Sequence, residues 1–117
     1  MIKVIKYSSG GLIMIVVGRL AAAGRLPRNF LVGIRIPSTM RSDEAWMAGH
    51  QAAASALTVG GFGPIAAGIV ALLAKPSRDK QAAVFRVGML WLLAWVGVAT
   101  FQAGRAARTE NSEATSA

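Results

Sequence analysis

Residues 28–50 read RNFLVGIRIPSTMRSDEAWMAGH. This polar block stands between apolar stretches, and it divides the chain. Downstream, Gln51–Ala74 (QAAASALTVGGFGPIAAGIVALLA) carries no charge. As a helix it rises roughly 36 Å at about 1.5 Å per residue, enough for a hydrocarbon core of about 30 Å. Upstream, Val4–Gly24 is apolar, but its uncharged centre, Tyr7–Gly18, is bounded by Lys6 and Arg19. That segment spans only if the two cations snorkel to opposite interfaces. A third apolar run covers Ala82–Ala103. The pattern predicts an all-α integral membrane bundle of three transmembrane helices, with a motif-bearing loop between helices 1 and 2. It predicts a single three-span domain over residues 4–103 (spans about 4–24, 51–74 and 82–103), followed by a polar, disordered tail over 104–117.

Composition agrees. Hydrophobic residues make up 54% of the chain and charged residues 15%, and the charge is clustered rather than spread as on a solvated surface. The net charge of +8 comes from cations flanking apolar runs, with no nucleic-acid-binding motif, so direct nucleic-acid binding is not expected. Anionic lipid headgroups are the better match, at about 1 kcal/mol for each Lys or Arg near such a surface. The absence of cysteine removes disulfides, thiolate catalysis and Cys-based metal sites. No P-loop, GxGxxG, HExxH or GxSxG motif occurs, and no cofactor is implied.

Local signals set the boundaries. Leu26-Pro27 and Ile36-Pro37 bias their first residues away from helix, so 25–41 reads as a loop and the apolar 30–36 as an extended or interfacial segment. Ser42 or Thr39 suits an N-cap, and Asp43 and Glu44 complement the dipole of a helix starting there. Trp46 and His50 are four apart and share a face, with Trp46 placed to anchor at headgroup level. Pro64, after Gly60, Gly61 and Gly63, predicts a kink, and the glycines admit a close neighbour. Lys75–Lys80 (KPSRDK) is a short hairpin that makes the second and third spans antiparallel. Trp91 and Trp95 share a face suited to helix packing or lipid. The N-terminal run also has an alternative reading as a cleaved signal peptide, with Lys3 and Lys6, an apolar stretch and Ala21-Ala22-Ala23.

Three spans place the first loop and the C-terminus on one side. That side holds Arg25, Arg28, Arg35, Arg41, Arg105 and Arg108; the other holds Lys3, Lys6, Lys75, Arg78 and Lys80. The positive-inside comparison is nearly balanced. Two cations fall within the spans. Arg19 lies at motif-side depth, within reach of Asp43, Glu44 or His50, or snorkelling to headgroups. Arg86 lies toward the opposite face, nearer Asp79.

The candidate binding residues are Asn29, Gly33, Arg35, Pro37, Thr39, Glu44, Trp46 and His50. Arg35 can fork onto a carboxylate or phosphate, or pair with Asp43 or Glu44. Asn29 and Thr39 donate and accept, and Trp46 offers a flat apolar face. Such groups near lipid pair with one another or await a ligand. One His without Cys is a poor metal-ligand set.

At these residues the chain resembles the SdpI membrane family. The matching string is Asn29, then Gly33-Ile34-Arg35-Ile36-Pro37, Thr39-Met40, Glu44-Ala45-Trp46 and His50, and the resemblance covers about residues 10–103. It implies a non-enzymatic membrane protein linked to immunity against a secreted peptide toxin, or to membrane signalling through capture of a transcriptional repressor. The family's namesake is longer, with additional spans before the matched region. In that layout the motif loop is cytoplasmic, in a multi-pass protein of the cell membrane.

Three functions follow as expectations. The first is a loop that binds a partner: a peptide toxin, a lipid headgroup or a cytoplasmic regulator. The second is a small accessory subunit of a larger membrane complex, or a homo-oligomer, packing through Gly-rich faces. The third is a lipid-acting enzyme or transporter using Glu44 and His50 as an acid–base pair.

Overall fold

A computed structural model of the chain describes residues 2–29 and 32–116. Phe30 and Leu31, the start of the expected extended segment, lie outside the described residues. Among the described residues three helices form, α1 (Ile2–Ala22), α2 (Asp43–Ala74) and α3 (Arg78–Ser116), with a 3-10 turn at Thr39–Arg41 before α2. Each is long and apolar enough to cross a membrane, and no strand occurs among the described residues. The all-α three-helix membrane bundle read from the sequence is therefore the observed architecture.

Local chemistry explains each boundary. α1 ends where Gly24 turns left-handed, at φ +68°. The Gly24 N–H donates to Ala21 O (3.1 Å) and the Arg25 N–H to Leu20 O (2.8 Å), which together satisfy two terminal carbonyls. α2 is capped by Ser42, whose hydroxyl accepts from the Ala45 N–H at 3.0 Å. Thr39, the other N-cap named from sequence, is used inside the loop instead. α2 runs through Pro64 as one helix and stops at Lys75, which holds the left-handed conformation at φ 46°.

α2 is the centre of the bundle and packs against both neighbours. α1 and α3 meet at a stack of Tyr7 on Phe85, with ring centroids 4.8 Å apart. The seams are built from small residues. Between α1 and α2, Gly11 faces the Gly61 backbone, and a Cβ on Gly18 would lie 3.0 Å from Ala54 O. Between α2 and α3, a Cβ on Gly60 would meet Trp95 at 2.9 Å and one on Gly49 would meet Ala103 O at 3.0 Å. Lipid tails are as apolar as leucine, so helices in a bilayer associate by such close approach rather than by burying large side chains. Accordingly Leu12, Ile13, Leu73, Leu90, Leu93 and Phe101 point outward. Trp91, exposed to the surroundings on one side, donates its indole N–H to Val59 O at 2.9 Å and so ties α3 to α2.

The helices depart from the predicted spans at their motif-side ends. α2 begins at Asp43, behind the Ser42 cap where the sequence placed the helix start, and so runs ahead of the span expected from 51. α3 continues through 104–116, where the sequence suggested a disordered tail. Helical spacing supports the extension: the hydroxyls of Thr109, Thr115 and Ser116 bond back to the carbonyls of Arg105, Asn111 and Ser112. Ala103, Gly104 and Ala107 are buried, and Asn111 Nδ2 donates to Ser38 O at 3.1 Å. The tail is helical because the loop gives it a surface to lie on.

Candidate functional site

The loop between α1 and α2 folds down over the end of the bundle. Its anchors are Trp46 and His50 on the first turns of α2. They sit on one face, as the four-residue spacing requires, with ring centroids 4.0 Å apart. Both are almost fully buried. Trp46 is thus not the headgroup anchor expected from its position. Its indole N–H donates to Leu26 O at 2.7 Å, which fixes the start of the loop; an indole with its only donor satisfied can be enclosed without penalty.

His50 fixes the middle of the loop. Its Nδ1 lies 2.8 Å from Trp46 O, and its Nε2 accepts the Ile34 N–H at 2.8 Å. A carbonyl on one side and an N–H on the other define one state: neutral imidazole, with the proton on Nδ1. Gly33 passes over the two rings at φ +120°, and a Cβ there would lie 2.8 Å from both His50 Nε2 and Trp46 Cη2. Glycine alone meets both demands.

Thr39, fully buried, closes the loop's last turn. Its hydroxyl lies 2.7 Å from Ile34 O and 3.1 Å from Ile36 O, and it accepts the Ile36 N–H at 3.2 Å. Asn29 organises the opposite arm: Oδ1 accepts the Val32 N–H at 2.7 Å, while Nδ2 reaches Pro27 O at 2.8 Å and Val32 O at 3.1 Å. One short amide thereby bridges the turn. Among the described residues, no buried side-chain nitrogen or oxygen lacks a hydrogen-bond partner.

The charged members of the motif are on the other side. Arg35, Pro37 and Glu44 are exposed. Asp43 pairs with Arg28, at 3.3 Å between Oδ1 and Nε, and Arg28 also donates to Met40 O at 3.1 Å. The partner of Asp43 is thus Arg28 rather than Arg35 or Arg19; a contact across that much loop has no local spacing to announce it. Arg19 and Arg86 are exposed and make no ion pair among the described residues. Arg86 therefore does not reach Asp79. Glu44 faces outward while His50 is enclosed with both nitrogens engaged, so the two do not form the acid–base pair considered from sequence. Among the described residues, no three His, Asp or Glu side chains converge as a metal site would need.

Sequence reasoning missed three contributors: Leu26 as acceptor, Arg28 as the partner of Asp43, and Asn111 as the brace from α3. Only Leu26 had a signal, its place before Pro27, and Ile36 before Pro37 carries the same one.

No curated protein and no solved structure matches the chain. The model of the SdpI/YfhL protein family matches residues 25–102, from the start of the loop to the end of the third apolar run. With the latch of Gly33, Thr39, Trp46 and His50 lying inside that region, the chain is an integral membrane protein that belongs to the SdpI/YfhL family.

Proposed function

We propose that the chain is a non-enzymatic membrane protein whose loop 28–50 is a preformed recognition surface for a partner, in peptide-toxin immunity or membrane-linked signalling. One observation carries this reading: the buried polar groups of the loop satisfy one another and hold the backbone, while Arg35, Pro37 and Glu44 are left outward. A loop fixed in advance spares the ordering cost of binding. An outward guanidinium suits bidentate capture of a carboxylate or phosphate. We place this surface on the cytoplasmic side by the layout of the family it resembles. The test is Arg35→Ala and Glu44→Ala, with membrane levels checked. Partner capture and toxin resistance should fall while the fold persists; unchanged behaviour of both variants contradicts the reading.

An accessory-subunit role is the second reading, favoured by Gly10 on α1 and Gly97 on α3. Both are exposed, and a Cβ on either would meet nothing within 4 Å. Small residues on outward helix faces suit packing against other spans. Purification in mild detergent should then yield a stoichiometric partner; recovery of the lone chain or its homo-oligomer removes this option.

A further inference from the structure

A second polar surface lies beside the loop. The 3-10 turn and the C-terminal part of α3 enclose an open groove lined by Ser38, Arg41, Arg108, Asn111, Ser112 and Thr115, among others. None of its lining residues is acidic, although Glu110 and Glu113 lie on the same helix. The Asn111–Ser38 hydrogen bond holds the two walls together. Two guanidiniums thus share one concavity with hydroxyl groups, on a wall that exists only because 104–116 is helical.

Depth narrows the ligand. The third apolar run ends at Ala103, and the helical rise from there to Arg108 is about 7.5 Å. The polar layer on each side of the hydrocarbon is about 5–7 Å thick. The Arg108 backbone therefore lies at the outer edge of that layer, its guanidinium reaches back beside Gly104 into the headgroup layer, and the groove opens beyond it toward water. Guanidinium pairs with added hydroxyl donors suit a group that presents several anionic oxygens.

We propose that this groove binds a phosphate group, held between Arg41 and Arg108 and contacted by the Ser112 hydroxyl. The group comes either from an anionic lipid headgroup or from a soluble phosphate. The inference deepens the reading of this end as a recognition surface and rests on it for the outward face.

The experiment uses the full chain in a phosphate-free maltoside detergent, reading the thermal unfolding midpoint. Short-chain phosphatidylglycerol and inorganic phosphate are titrated separately against chloride at equal ionic strength. A midpoint that rises with the lipid alone assigns the headgroup; one that rises with phosphate, with or without the lipid, assigns the phosphate group itself. Removing one guanidinium, by Arg41→Gln or Arg108→Gln, should raise the half-saturating concentration about tenfold. Arg108→Lys should recover part of the loss. Arg78→Gln, the same charge change at the opposite end, should leave the response intact. No rise with either probe overturns the proposal. So does an undiminished response in Arg41→Gln and Arg108→Gln, or an equal loss in Arg78→Gln. The measurement needs no protein partner. Absent anion response with partner capture intact would therefore sink this inference alone.

Discussion

The two ends of the bundle solve the same problem differently. At one end residues 75–77 join α2 to α3, and the only special feature is Lys75 in a left-handed conformation. At the other end residues 23–42 join α1 to α2, and a buried tryptophan, histidine and threonine hold them down. A short link suffices to reverse the chain. The longer one must satisfy many more backbone groups, and it does so through Trp46, His50, Thr39 and Asn29. The contrast separates connection from construction: the motif residues build a cap, and the cap carries the outward charges.

The comparison breaks most directly at Trp46. Trp46→Ala empties the centre of the cap and orphans Leu26 O, and should cost about 3–5 kcal/mol, read as the loss of unfolding free energy in detergent. An unaffected midpoint would show that the cap contributes nothing. Gly33→Ala comes next, at about 2–3 kcal/mol, because it combines a left-handed φ with contact against both rings.

His50→Ala should cost about 1–3 kcal/mol by leaving the Ile34 N–H without an acceptor. Acid should mimic it. The folded state uses Nε2 as an acceptor, so a proton there would set two donors against each other. The unfolded chain takes that proton near its ordinary value of about 6.5. Cap stability is therefore full above that pH and declines as pH falls below it. A cap equally protected from exchange at pH 5 and pH 8 would refute this assignment of the ring.

The smallest effects separate strain from surface pairing. Lys75→Gly at the plain end should stabilise by about 1 kcal/mol or less, by relieving a left-handed non-glycine residue. Arg28→Ala should cost only about 0–1 kcal/mol, since Asp43 is exposed. If Arg28→Ala rivalled Trp46→Ala, the cap would be held from outside, and the roles argued here would be reversed.

Much of this was legible in the sequence. Run length and charge placement revealed three helices, and two X-Pro steps marked the loop. The four-residue spacing put Trp46 and His50 on one face. Their use was not legible, because no periodicity tells an indole N–H which carbonyl it meets across a loop. The helical tail was hidden for a related reason. Residues 104–116 have no apolar stripe strong enough to read, and they fold against Ser38 and Ile36, whose position depends on the cap.

Amide hydrogen exchange in a lipid nanodisc, read at the Ile34 N–H and the Trp46 indole, tests the latch itself. Both protons should exchange as slowly as the amides in the middle of α2. Exchange at the rate of an exposed loop would contradict the account.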